Sequence, residues 1–139
     1  MRSHTKKMSG WEICLFVLLC LWVWGADAQT CESGYSANVT RVVDGDTVDA
    51  NLDIGFGLTK KVRIRLLDIN APEVRGESRV EGRKATAYLM SLLKVADNQI
   101  RVVVEGKDSF GRALGRLYDG EINLNQRMLD SGHAVPYVK

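Results

Sequence analysis

The chain is predicted to be β-rich α+β: a five-stranded OB-fold barrel of Greek-key order, carrying two helices. Three observations lead there. Between residues 38 and 68, three short segments alternate apolar and polar side chains at hairpin spacing, the pattern of an antiparallel meander. From Val80 the apolar period changes to three-and-four, as an amphipathic helix requires. Two more strand-like segments and a shorter helix follow, and five strands with a helix after the third match a small Greek-key barrel.

Taken in order, the first strand is the β-branched run 38–43, closed by the turn pair Asp44-Gly45. The second, 47–54, alternates up to a glycine-bracketed turn, Gly55-Phe56-Gly57, at the tip of a long hairpin link. In the third, 61–68, Val62, Ile64 and Leu66 share one face and Arg63 and Arg65 the other. The helix carries Ala85, Tyr88, Leu89, Leu92, Leu93 and Ala96 on one stripe. Segments 100–105 and 112–118 are the last two strands, and Asp119-Gly120 is a turn. Asn123 is placed to cap a short helix that runs through Asp130 and stops at Gly132. The end, 133–138, reads as extended. A glycosylation sequon, Asn38-Val39-Thr40, lies inside the first strand and is treated as incidental.

The first part of the 139-residue chain reads differently. Arg2, Lys6 and Lys7 precede an apolar run, 13–24, and then Ala26-Asp27-Ala28. A basic start, an apolar core and an Ala-x-Ala ending are the parts of a signal peptide, residues 1–28, with cleavage after Ala28. The run is shorter than the roughly 18–20 residues that span a bilayer. An uncleaved anchor is the rival reading, and membrane contact is expected only in that case. Export to the periplasm or the outside is the expectation that follows. A short polar lead, 29–37, then joins a single domain, 38–139.

From Gln29 onward, sixteen Lys and Arg face fifteen Asp and Glu, so bulk charge does not attract a polyanion. Affinity for nucleic acid must come from local arrangement. Cys14 and Cys20 leave with the signal and Cys31 has no partner in the rest, so no disulfide framework supports the fold. A monomer is expected.

Groups able to do chemistry lie at strand ends and in loops: Asp44-Gly45-Asp46-Thr47, Asn70-Ala71-Pro72-Glu73 and Asp108-Ser109-Phe110-Gly111-Arg112. In a meander the first two meet at one barrel end. Asp46, Glu73 and the oxygens of Asn70 and Ala71 then form an all-oxygen cluster of the kind that suits a hard cation such as Ca²⁺. No cysteine joins it and His133 stands alone, so zinc has little support. Each piece also has a purely structural reading. Asp-Gly is a common turn, Pro72 is ordinary punctuation after a strand, and Glu73 is a solvated loop carboxylate. Arg65 is a candidate partner for Asp49 or Asp53 across the hairpin, with Arg63 a solvated neighbour. The convergence of acidic turns and strand-edge arginines on one barrel end is what points to a site.

VVDGDTVDA, RLLDINAPE, KDSFGRALGRLY and SGHAVPY, in that order, resemble the successive motifs of the staphylococcal nuclease (thermonuclease) family over residues 38–137. The resemblance implies a five-stranded OB-type barrel with packed helices. It also implies a Ca²⁺-dependent nuclease that cleaves DNA and RNA with little sequence preference and leaves 3′-phosphate ends. By the same resemblance Asp46 is a direct Ca²⁺ ligand, Asn70 takes the place of a second carboxylate ligand, and Ala71 lends its backbone carbonyl. Glu73 matches the carboxylate that positions or activates the attacking water. Arg65 and Arg112 match the two arginines that clamp the scissile phosphate. Tyr137, shifted by one residue, matches an aromatic that packs against the nucleotide.

Two departures from the family pattern bear on function. Asn70 supplies an oxygen but no charge, which weakens attraction for a cation; Asp44 is placed to add charge from behind it. Ser109-Phe110 stands where a lysine and a tyrosine often hold a terminal phosphate, so Phe110 keeps the packing and loses the hydroxyl. A non-catalytic nucleic-acid-binding barrel is the alternative, and an envelope interaction domain with an incidental acidic loop is a third reading. Joint retention of Asp46, Arg65, Glu73 and Arg112 favours the nuclease.

Overall fold

The computed structural model describes residues 33–137. The expected signal or anchor, its cleavage point after Ala28 and Cys31 lie outside the described residues. Among the described residues, no helix is long and apolar enough to cross a membrane.

Strand β1 (Tyr35–Asp44) starts three residues earlier than the alternation suggested. It turns at Gly45 into β2 (Thr47–Asp53), which returns through the glycine tip to β3 (Thr59–Leu66). At that tip Gly55, Phe56 and Gly57 all have positive φ (87°, 57° and 73°), and the Asp53 carboxylate accepts from Gly55 N at 2.8 Å. Asp53 is therefore committed to the turn.

Past β3 the chain makes a left-handed step at Asp68 (φ 63°) into the two-residue β4 (Ile69–Asn70). Helix α1 (Arg79–Val95) follows, then β5 (Gln99–Lys107) and β6 (Ala113–Asp119). A two-residue β7 (Ile122–Asn123) leads into α2 (Leu124–Asp130). Asn123 caps α2 as expected, accepting from Gln126 N at 3.2 Å, and Gly132 (φ 72°) follows its end. Among the described residues after α2, the chain is extended at β8 (Val135–Pro136), which pairs antiparallel with β4.

β1 lies centrally, antiparallel to β2 on one side and to β5 on the other. β3 flanks β2 and β6 flanks β5. The barrel closes by a parallel contact of β3 with β6, in the register Ile64↔Ala113, Arg65↔Leu114 and Leu66↔Gly115. The result is the closed five-stranded OB-type barrel that the pattern predicts, with α1 and α2 packed on it. Closure pairs the end of β3 on both sides, whereas its start, from Thr59 to Arg63, pairs with β2 alone.

On β3 the inward face holds Ile64 and Leu66 as predicted, with Val62 only half-buried. β2, by contrast, is buried on both faces over Thr47, Val48, Asp49 and Ala50, because the acidic turn and its ion pairs cover the outer side. Val48, Ile64, Leu66, Val102 and Leu117 fill the interior with almost no exposure. From α1, Leu89 and Leu93 are fully buried, each contributing about 1.5–3 kcal/mol by its removal from water. Ala85, also fully buried, lets the helix sit close to the barrel.

Candidate active site

The β1–β2 turn supplies the first carboxylate. Asp46 is buried; its Oδ2 accepts from Ala71 N at 2.8 Å and its Oδ1 from Thr47 Oγ1 at 3.1 Å. Asp44 Oδ1 accepts from Asp46 N at 3.2 Å and so shapes the turn. Gly45 is required here by proximity: a Cβ on it would stand 2.7 Å from the Cβ atoms of both Ala71 and Ala85. Only a bare backbone lets the acidic turn tuck between the Asn70–Glu73 segment and α1.

The segment after β3 is held from three sides. β4 pairs with β8, Leu67 N donates to Gly115 O at 2.9 Å, and Asn125 of α2 reaches across to it. The buried Asn125 donates through Nδ2 to Leu67 O (2.9 Å) and Gly115 O (3.3 Å) and accepts from Leu117 N (3.1 Å). Beyond, Pro72 and Glu73 lie directly on α1 at Gly82. A Cβ on Gly82 would collide with the Glu73 carbonyl group and come within 2.8 Å of Pro72 O. Neither Asn125 nor Gly82 stood out in the sequence. A glycine inside a helical stripe is the one signal available for Gly82, since such a residue weakens the helix and calls for a packing reason.

Two arginines converge next to these carboxylates because of the barrel closure. Arg65 is on β3 and Arg112 immediately precedes β6, so the parallel register Ile64↔Ala113 brings them together. Arg65 ion-pairs with Asp46, and its Nη2 donates to Asn70 Oδ1 at 2.9 Å. The Nη1 that faces Asp46 is buried. Arg112 is fixed by Asp108 within one tight loop. Its Nε meets Asp108 Oδ2 at 2.6 Å, while Asp108 Oδ1 accepts from the backbone N of Phe110 and of Arg112, each at 2.9 Å. Burial pushes the Asp108 carboxyl up, but the hydrogen bonds from Arg112 and Phe110 outweigh it and hold the group below its ordinary range. Arg65 is pulled the other way: burial, then the Arg112 charge, lower it from its ordinary value. Two guanidiniums that repel in a partly desolvated place make a site that an anion would relieve.

The pairing of Arg65 with Asp49 or Asp53 does not form. Asp49 instead takes Arg63, in a two-point contact of 2.7 and 3.1 Å, together with Arg41 at 3.2 Å. The reason is register: Asp49 sits opposite Arg63, whereas Arg65 sits opposite Thr47 beside the Asp46 turn. Arg63 is thus an ion-pair partner rather than a solvated neighbour. The Asp68 carboxylate pairs with Arg116 at 2.6 Å rather than with the arginines of the site.

The structure brings Asp46, Arg65, Asn70, Ala71, Glu73 and Arg112 together around one cavity of about 220 Å³, with Asp44 also on its wall. Phe110 and Tyr137 line an adjoining cleft of about 830 Å³ that shares Arg65 and Arg112. Tyr137 is positioned by the β4–β8 ribbon and by its N–H, which donates to Asp68 O at 2.9 Å.

Comparison with known proteins places the fold in a family. The family model for staphylococcal nuclease homologues matches residues 63–139, more than half of the chain. The chain belongs to this family. It is 34% identical over 118 residues to Endonuclease YhcR of Bacillus subtilis (strain 168), covering 78% of this chain and 9% of that protein. It is 40% identical over 101 residues to an uncharacterized endonuclease of Escherichia coli O157:H7, covering 71% and 59%. A micrococcal nuclease of Shigella flexneri is 30% identical over 112 residues, covering 74% and 59%. The chain therefore spans from about a tenth to about three fifths of the length of these relatives.

For a staphylococcal nuclease homologue, the group to test against the site is Ca²⁺. Among the described residues, no three His, Cys, Asp or Glu side chains are grouped so as to hold a metal by themselves. A cation here would rest on Asp46 with the amide oxygen of Asn70 and the carbonyl of Ala71, and Glu73 lies on the same cavity wall. Such a mixed, all-oxygen set fits Ca²⁺, which tolerates irregular geometry and neutral oxygen ligands. It does not fit zinc.

Proposed function

We propose that this chain is an exported, Ca²⁺-dependent endonuclease that hydrolyses DNA and RNA with little sequence preference. The observation that carries this reading is the pairing of Arg65 and Arg112 over a carboxylate-lined cavity. Both guanidiniums are fixed by acidic partners and reach one place from which water is partly excluded. An in-line displacement at phosphorus builds negative charge on the phosphoryl oxygens, and fork-shaped donors already in position stabilise it.

Arg65 and Arg112 hold the scissile phosphate, and Glu73 accepts a proton from the attacking water. The new bond joins water oxygen to phosphorus while the bond from phosphorus to the 5′-oxygen breaks. The leaving alkoxide takes up a proton, and the products are a 3′-phosphate and a 5′-hydroxyl. When bound at Asp46, Asn70 and Ala71, Ca²⁺ supplies positive charge beside the phosphate. Gripping the backbone rather than base edges accounts for action on any sequence and on either sugar. Tyr137, which lines the cleft with Arg65 and Arg112, offers a ring to the nucleotide. The basic start and short apolar run of the N-terminus support export, and the self-contained barrel supports a monomer.

The test is incubation of the protein with single-stranded DNA and RNA, in Ca²⁺ or in chelator. Chelator-sensitive cleavage that falls by about 100-fold or more in Arg65→Ala and in Glu73→Gln is the expected result. Binding without cleavage would make the chain a nucleic-acid-binding barrel instead, and neither binding nor cleavage would remove both readings.

A further inference from the structure

A second cavity of about 670 Å³ lies outside this centre, on the outer face of β1–β3. Its wall is basic: Arg41 from β1 with Lys61 and Arg63 from β3, around the single carboxylate of Asp49. Three cations against one anion leave two positive charges on the groove. Asp49 holds Arg63 at two points and Arg41 at one, so two of the three cations are oriented in advance. Burial opposes ionisation of Asp49, but the hydrogen bond from Arg63, the largest influence on it, keeps the carboxyl below its ordinary range.

A row of cations on β3 runs from the groove to the active site. Lys61, Arg63 and Arg65 follow one another on the same face of β3, so successive cations stand about 6.6 Å apart along the strand. That spacing resembles the repeat of phosphates along an extended nucleic-acid strand. Arg65 ends the row in the cavity that holds Asp46 and Glu73. Phe110, 83% exposed as a residue, lines both the groove and the cleft of Arg65 and Arg112. The Arg112 guanidinium stands over this ring, 5.5 Å from its centroid, so the ring is anchored at the active-site end of the groove. An aromatic platform beside a cationic row is how proteins hold single strands without reading their sequence.

We propose that the Arg41–Lys61–Arg63 groove binds the single-stranded nucleic acid that flanks the scissile phosphate. Arg41 and Lys61 contact phosphates outside the reacting one, and a neighbouring base stacks on Phe110. The proposal rests on the nuclease reading for the position of the scissile phosphate. Its consequence is a preference for long single strands over dinucleotides.

The experiment is fluorescence anisotropy of the full chain with labelled dT12 in chelator, so that binding is read without cleavage, with the dinucleotide TpT as competitor. Arg41→Ala/Lys61→Ala leaves the Arg63–Asp49 pair in place and changes two exposed side chains; its thermal midpoint is measured alongside. Loss of two phosphate contacts on a single strand lowers the slope of log K against log salt by about 1.4. The Kd for dT12 is expected to rise on the order of fivefold or more with it, while the affinity for TpT stays unchanged. An unchanged salt slope, or equal weakening towards TpT and dT12, would overturn the groove. Wild-type protein that binds dT12 with the expected salt response but never cuts it in Ca²⁺ would instead sink the nuclease reading and leave the groove standing.

Discussion

Gly82 of α1 lies directly against the backbone of Glu73, close enough that a single methyl group could not be placed between them. The helix gives up about 1 kcal/mol by carrying glycine in its interior. In exchange the Asn70–Glu73 segment rests on the helix, and its carboxylate is delivered to the cavity wall. Catalytic geometry here depends on a residue that has no chemistry of its own.

Gly82→Ala therefore pushes Glu73 outward. Cleavage of single-stranded DNA should fall by up to about 100-fold, as a displacement near 1 Å costs when a reacting group loses its alignment. Binding of dT12 in chelator should be nearly unaffected. Wild-type turnover in this variant would show that Glu73 tolerates the shift or takes no part.

Asn70→Asp adds a charge beside Asp46 at a position that now accepts from Arg65. More ligand charge strengthens Ca²⁺ binding. The Ca²⁺ concentration for half-maximal cleavage should drop, on the order of tenfold, and an unchanged or higher requirement would take Asn70 out of the ligand set.

Asn125→Leu removes one acceptor and one doubly used donor from the junction of β3, β6 and α2. Leu117 N is left without its partner, and Leu67 O and Gly115 O each lose a donor. Urea unfolding should register a loss of about 1–3 kcal/mol. A variant as stable as wild type would mean that water replaces the amide.

Asp49 makes acid stability specific. Its carboxyl lies below the ordinary 3.8 in the folded state, chiefly through the hydrogen bond from Arg63. The contribution is complete above the unfolded value and is lost as pH falls through the lower folded value. Thermal midpoints measured from pH 5 downward should therefore decline below about pH 3.8, and Asp49→Asn should make that decline shallower. An identical slope in the variant would place the acid sensitivity elsewhere.

The strand alternation of β3, the stripe of α1 and the Asn123 cap were all legible in the sequence, because each depends on neighbours within a turn or a pleat. So were the acidic turn at Asp44–Asp46 and the exit Asn70–Glu73, whose residue types carry their chemistry wherever they stand. Partner choice was not. Whether Arg63 or Arg65 meets Asp49 turns on the register between β2 and β3, since a shift of two residues would keep every side chain on its face and change its partner. The meeting of Arg65 with Arg112, 47 positions apart, exists only because β3 and β6 close the barrel in parallel. Gly45 and Gly82 look like ordinary small residues until Ala71 and Glu73 are packed on them. Local propensity selects the elements; close packing between distant segments, which no short window of sequence contains, decides which side chains share the site.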